Sequence, residues 1–496
     1  MNKPIRTVSI FCLLLFLALM VNITYLQFWR ADSLNEDPGN RRVIEAAYSR
    51  DRGAILVGRE EIARSEPVDD QYEFLREYPE PLKYAHVTGY FSFYSQTGIE
   101  QTQNQVLSGD DSRLFVTKLV DLISNESNQG GSVQLTLDAE AQEAAYAGLQ
   151  GLSAQGAGQG VEASVVAIEP SSGKILAMVS LPTYDPNKLA THDLEQSQAD
   201  YDRLNESASE PLLNRAIQKT LPPGSTFKVV TAAAAIENLD LDADSQVPGG
   251  ATYQLPLTSG PSGLIDNEGR DCGSGRIPFK QAMENSCNTT FAALANEVGA
   301  DAMLEMAEKF GFNQSYLDDL RPQAESKFPS EMDEAQTGQS GFGQFEVRST
   351  PLQMAMVMAG IANGGKVMKP YLVDEVQSAE YDTLEQTDDE EFSQAISSST
   401  ATELTELLVS TVDNGTASPA AIPGVTVAGK TGTAQSGIDN VPPYAWFVSF
   451  APAASGDNPE VAVAVMIEAA DIPRGEIAGG QLGGPIAKAV MEAVIK

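Results

Sequence analysis

The sequence predicts an α+β fold, on three observations. Strand-rich runs stand at both ends of the region after about residue 160, helical runs lie between them, and the 496-residue chain shows no internal repeat. A sheet built from such runs has to join segments that are distant in sequence. A hydrophobic content of 42% suits a globular protein with a substantial core, and the length allows more than one domain. With 32 Lys and Arg against 68 Asp and Glu, the formal net charge is -36. Such a surface repels nucleic acid, which is excluded as a partner; the acidity itself reads as solubility or adaptation to the external medium.

In chain order, the first element is the apolar run Val8 to Phe28, VSIFCLLLFLALMVNITYLQF. About 21 residues at roughly 1.5 Å each span a bilayer core. Lys3 and Arg6 precede the run, and Tyr25, Phe28 and Trp29 sit where an interfacial aromatic belt lies. The expectation is a single uncleaved crossing with a cytoplasmic tail at 1–7, an anchor at 8–28 and the rest outside the membrane. A cleaved signal peptide is the competing reading, but no small-x-small site follows the run.

Residues 29–153 form the second expected domain. YSRDRGAILVGREEIARS, Tyr48 to Ser65, alternates as a strand and turn, and Gly130-Gly131 leads into SVQLTLDAEAQEAAYAGL, a strand followed by an amphipathic helix. The glycine-rich run AQGAGQG, Ala154 to Gly160, reads as a hinge that opens the third domain, 154–496. There ASVVAIEPSSGKILAMVS is a hairpin signal with Pro170 and Gly173 at its turn. Helices follow in LPPGSTFKVVTAAAAIE, FKQAMENSCNTTFAALANEVG and TPLQMAMVMAGIANGG, whose methionines read as core. The acidic run Thr387 to Glu391 reads as a solvated loop. Strands return in VTVAGKTGTAQ, YAWFVSFAP and EVAVAVMIEAA before a closing helix.

Chemistry concentrates in three short phrases. Pro222, Pro223 and Gly224 set up a helix start, after which Ser225 and Lys228 are three residues apart and share a face. A lone S-x-x-K is weak evidence, because serine caps helices and lysine is usually solvated. Here it is followed in order by Ser286-Cys287-Asn288 and by Lys430-Thr431-Gly432-Thr433. S-x-x-K with S-D-N and K-T-G is the shared mark of penicillin-binding proteins and class A β-lactamases, and Ser286-Cys287-Asn288 keeps the first and last residues of the second element. A serine nucleophile also needs a base, and the chain has only two histidines, His86 and His192, both outside the three phrases. A lysine serves only if desolvation and nearby positive charge lower its pKa, conditions that Lys228 on an apolar helix with Lys430 nearby can meet.

From about Arg50 onward the sequence resembles a class B penicillin-binding protein, most like the short penicillin-binding protein A type of actinobacteria. RDRGAILVG, LTLDAEAQ, VVAIEPSSGKILAMVS, LPTYDPN, LNRAIQKTLPPGSTFKVV, ENSCNTTF, GFGQFEVRSTPLQMAMVMAGIANGG and VAGKTGTAQ carry the resemblance in order. It implies a serine transpeptidase domain of β-lactamase-like fold, an antiparallel sheet flanked by helices, after a smaller non-catalytic pedestal and a transmembrane helix. The implied reaction is D,D-transpeptidation of peptidoglycan stem peptides through a Ser225 acyl-enzyme, blocked by β-lactams, in cell division or shape maintenance. Lys228 would take the Ser225 proton, Ser286 would relay a proton to the leaving amine, and Asn288 would hold the substrate amide or orient Lys228. Lys430 would add positive potential. Thr431 and Thr433 would bind the substrate carboxylate, the N–H groups of Ser225 and Thr433 would form an oxyanion hole, and Gly432 would leave room for substrate along the strand. No cofactor and no metal are expected. Expected partners are stem peptides, lipid-linked glycan strands, the membrane, and division or elongation proteins including a glycosyltransferase.

Cys287 stands where the motif has Asp. Cys272 and Cys287, 15 residues apart, could pair, and the spacing leaves both states open. Trp446 and Phe447 could line a cleft or fill a core. A D,D-carboxypeptidase differs only in using water to resolve the acyl-enzyme; a β-lactamase fits poorly with the anchor and long N-terminal region, and a non-catalytic scaffold has no need of three intact motifs.

Overall fold

The computed structural model describes residues 2–30, 34, 48–114, 129–153, 160–435, 442–469 and 478–495. Most of the expected 154–160 hinge and the polar segment after the anchor lie outside them. The N-terminal helix, Asn2–Thr24, continues as a wider turn over Tyr25–Trp29. Between Lys3 and Trp29 it is long and apolar enough to cross a membrane. Among the described residues, its most apolar window is not buried against the rest of the protein.

The pedestal is a six-stranded sheet, and the N-terminal region alone does not complete it. In spatial order its strands are Thr383–Gln386, Val373–Gln377, Ser132–Leu135, Ile55–Val57, Glu60–Pro67 and Phe74–Glu77. Ile55–Val57 and Ser132–Leu135 pair in parallel, Ile55 beside Val133. The two strands at one side of the sheet thus come from far along the chain. In the same region, the buried carboxylate of Glu100 accepts hydrogen bonds from Arg52 Nε at 2.6 Å, Arg76 Nε at 2.7 Å and the Tyr78 hydroxyl at 3.2 Å. Arg52 also lies 4.4 Å over the Phe91 ring.

The C-terminal region is built on a five-stranded antiparallel sheet in the order Ala428–Ala434, Tyr444–Ala451, Val461–Ala469, Glu162–Ile168, Ile175–Leu181. The hairpin at the start of the region joins the three strands at its end, as the sequence predicts. The inner strands read as continuous apolar runs because both faces are covered. Val165, Val463, Val465 and Phe447 pack with Ala145, Leu149, Ala487 and Val490 on one side. Their neighbours Val166, Ala464, Met466 and Trp446 join Met354, Met358, Phe227 and Val230 on the other. The first of these layers includes the helix Ala139–Gln150, which precedes the expected 153/154 boundary. The two regions therefore exchange elements: one helix goes forward into the C-terminal core, and the 373–386 strands go back into the pedestal sheet. The Met-rich helix Pro351–Ala362 is core, as expected. Of the acidic run, the Tyr371 hydroxyl donates to Asp389 at 2.8 Å, and Glu391 begins a short strand.

Candidate active site

Three segments converge at the open edge of the five-stranded sheet. Ser225 sits in a single 3-10 turn, Gly224–Phe227, and the α-helix proper begins at Lys228. Gly224 has φ 53° and donates its N–H to Gly343 O at 3.1 Å. A Cβ on Gly224 would stand 3.0 Å from Thr433 O and from Ala434 Cβ, so glycine lets the turn press onto the K-T-G strand. Ser225 is 8% exposed.

A Cβ on Gly432 would meet Pro223 O and Thr226 Cγ2 at 2.9 Å, so its bareness admits the turn carrying Ser225. Among the described residues, Ala428–Ala434 has a strand partner on one side only.

The two lysines meet at Ser286. Lys228 Nζ donates to Ser286 O at 2.7 Å, Ser286 Oγ at 3.1 Å and Asn288 Oδ1 at 2.7 Å. Lys430 Nζ donates to Ser286 Oγ at 2.9 Å and to Thr431 O at 3.1 Å. Both lysines are completely buried, and among the described residues neither has an ion pair. Burial is the largest influence on Lys228 and pushes its pKa well below the ordinary value, with the charges of Lys430 and Arg270 adding to it and Glu268 opposing. Lys430 is brought down to about 7, by burial first and Arg270 second. Two buried ammonium groups sharing one hydroxyl would repel strongly, so the site favours at least one neutral amine near neutral pH.

Ser286 holds its place with φ 54°, left-handed for a residue with a side chain, between the short helix Phe279–Glu284 and the helix Asn288–Val298. Cys287 is bonded to Cys272, with Cα atoms 5.8 Å apart. Asn285 Nδ2 donates to Asp271 O at 2.8 Å, and Asn288 Nδ2 to Asp266 O at 3.1 Å. The segment with the second motif is thus tied to residues 266–272, the state that the cysteine spacing left open.

Every residue singled out in the three phrases lies in or beside this cluster. The Thr431 hydroxyl is 2.9 Å from that of Thr416, a residue in a plain N-G-T-A stretch that no motif marks. Arg270, whose charge reaches both lysines, was equally silent in the sequence. The histidines are elsewhere. His86 Nε2 is 2.9 Å from Pro211 O, and burial lowers its pKa to about 4; His192 Nδ1 is 2.5 Å from Asp70. Neither forms a triad with Ser225. Trp446 and Phe447 are fully buried on opposite faces of the sheet and line no cleft.

The family model for the penicillin binding protein transpeptidase domain matches residues 163–492 of this chain. The chain belongs to the penicillin-binding proteins. A second model, the penicillin binding protein A dimerisation domain, matches residues 52–133, within the pedestal of this penicillin-binding protein. The chain is 41% identical over its whole length to the peptidoglycan D,D-transpeptidase PbpA of Mycolicibacterium smegmatis, covering 99% of that protein. It is 40% identical, with the same coverage, to the protein of that name from Mycobacterium tuberculosis. Among solved structures, it resembles the ceftriaxone acyl-enzyme complex of M. tuberculosis penicillin-binding protein A with a TM-score of 0.83 and 39% identity, over 91% of this chain and 100% of that one. The penicillin G acyl-enzyme complex of the same protein matches with a TM-score of 0.81 and 39% identity, over 90% and 100% of the two chains.

Proposed function

We propose that this penicillin-binding protein is a peptidoglycan D,D-transpeptidase that works outside the membrane through an acyl-enzyme on Ser225. The observation that carries the reading is the convergence of two buried lysines on Ser286 Oγ, beside the turn that holds Ser225. Ser225 Oγ attacks the carbonyl carbon of a D-alanyl-D-alanine stem while its proton passes to Lys228. The N–H groups of Ser225 and Thr433 stabilise the oxyanion; losing one such donor costs about 10²- to 10³-fold in rate. The peptide bond breaks, the terminal D-alanine leaves with a proton relayed through Ser286, and the stem stays esterified to Ser225. An amine of a second stem then attacks the ester, and Ser225 recovers its proton. Asn288 orients Lys228, Lys430 supplies positive potential, and Thr431 and Thr433 receive the donor carboxylate. The reaction needs no cofactor, since each step trades one acyl bond for another.

The N-terminal helix serves as a single-pass anchor with its N-terminus in the cytoplasm, an orientation supported by Lys3 and Arg6 ahead of the apolar run. The pedestal, whose 52–133 segment matches a dimerisation domain, is the contact surface for wall-building partners, among them a glycosyltransferase that supplies glycan strands at division or elongation. The test is incubation of the purified protein with a D-alanyl-D-alanine stem peptide and an acceptor amine. A cross-linked product that disappears in Ser225→Ala is expected. Hydrolysis to the shortened stem alone would replace the reading with a carboxypeptidase, and no turnover with normal folding would replace it with a scaffold.

A further inference from the structure

Between Asp244 and Asp266 the sequence holds no charged residue, in a chain of net charge -36. Within this stretch the strands Thr252–Gln254 and Leu264–Asp266 form a hairpin. Its outer part is open to solvent, with Leu257 78% exposed at φ 59° and Leu264 44% exposed. A groove of about 300 Å³ lies between the base of the hairpin and the helix Asn288–Val298. Thr289, Ala293, Asn296 and Glu297 line it from the helix. At i, i+4, i+7 and i+8 they share one face and extend about 12 Å along the axis. Thr252 and Tyr253 line it from the hairpin.

Hydrogen bonds hold the two walls together at both ends. Near the second motif, the Thr289 hydroxyl donates to Gly250 O at 3.0 Å and the Thr290 hydroxyl to Pro248 O at 2.7 Å. At the other end the Tyr253 hydroxyl donates to Asn296 Oδ1 at 3.2 Å. The groove begins one residue after Asn288, whose Oδ1 accepts from Lys228 Nζ at 2.7 Å. One helix thus serves the reacting centre at its start and the groove along its side.

We propose that this groove is a sugar subsite, which holds the neutral N-acetylated aminosugar chain that carries the stem peptide while the stem reaches Ser225. A sugar ring has apolar C–H faces and a rim of hydroxyl groups. Tyr253 offers the matching combination of an apolar ring and a polar tip. Around it, Glu297 supplies acceptor oxygens, Thr252 a hydroxyl and Asn296 an amide. An apolar lining with a few placed polar groups, at a volume from about 300 Å³ upward, is the general form of a small-ligand site. The uncharged hairpin favours a neutral chain, since a strongly ionic partner would find no counter-charge on it.

This inference rests on the transpeptidase reading, and its test separates the two. Saturation-transfer NMR is run on the full chain in a detergent without a sugar headgroup, with chitotetraose as the probe. Transfer to the acetamido methyl groups is expected in wild type. Affinity is expected to fall about ten-fold in Y253A and less in Y253F, which keeps the ring. E297A, at an exposed position, weakens binding without a change in the core. The KM of cross-linking is then compared for a stem carried on a glycan fragment and for the same stem free. Y253A and E297A are expected to raise the first about ten-fold more than the second. No saturation transfer in wild type, an equal rise for the two stems, or displacement of chitotetraose by the free stem peptide would each overturn the proposal. A wild type that takes no penicillin and cross-links neither stem sinks the transpeptidase reading, while binding of chitotetraose still decides the groove.

Discussion

At the scale of single residues, the site is organised around Ser286, not Ser225. Its hydroxyl accepts from both lysines, and its backbone oxygen accepts from Lys228 as well. Ser286→Ala therefore removes the group through which the two amines communicate. Proton-transfer groups contribute about 10²- to 10⁴-fold, so acylation of Ser286→Ala is expected to fall at least 10²-fold, measured as the second-order rate of penicillin labelling with Ser225 intact. Lys430 makes a second prediction. Its pKa is about 7 in the folded protein against an ordinary value of 10.5, so between these pH values the unfolded chain binds the extra proton. Its burial thus destabilises the fold below pH 7, and that penalty fades as pH rises toward 10.5. Lys430→Met is expected to melt higher than wild type at pH 7, with the difference shrinking by pH 10, while acylation is lost. The sequence exposed Ser225, Lys228, Ser286, Asn288 and Lys430 because each belongs to a short pattern with fixed spacing. Arg270 and Thr416 belong to none; their places depend on how distant segments fold together, which no local pattern encodes.

At the scale of elements, the second motif is held in place because its segment is tied to residues 266–272 by the disulfide and by the Asn285 and Asn288 bonds. Closing a 15-residue loop contributes about 3 kcal/mol in the chain-entropy model, so the Cys272→Ser, Cys287→Ser double variant is expected to lose stability of that order by denaturant titration. Its acylation should slow as well, since Ser286 keeps a left-handed φ only while its surroundings hold it there. The nucleophile turn and the K-T-G strand form a second unit through Gly224 and Gly432. Gly432→Ala sets a methyl group 2.9 Å from the Pro223 carbonyl and is expected to cost about 1–3 kcal/mol and to slow labelling by displacing Ser225. The hairpin, the helices and the three last strands were legible in the sequence through their apolar runs. The close approach at Gly432 was not, because it is a contact between a strand and a turn far apart in sequence, at positions 432 and 223.

At the scale of the whole molecule, the pedestal and the C-terminal region are interlocked. Strands at 373–377 and 383–386 complete the pedestal sheet, and the helix Ala139–Gln150 caps the C-terminal one. A boundary read from composition near residue 153 marks a glycine-rich stretch but not this exchange, because a strand's apolar pattern does not say which sheet it joins. Glu100 anchors the pedestal between two buried arginines, and Glu100→Gln leaves their charges without a counter-ion. Breaking a buried pair typically costs about 3–5 kcal/mol, so this variant should unfold at clearly lower denaturant concentration. Loss of penicillin labelling with it would show that the pedestal supports the site through the shared strands. The central claim, that Ser225 carries the acyl group, is tested most directly by intact and peptide mass measurement after exposure of the full chain to benzylpenicillin. One adduct of the full mass of the drug, on the peptide containing Ser225 and absent from Ser225→Ala, is the predicted result. An unmodified wild-type protein, or an adduct that persists in Ser225→Ala, would contradict it.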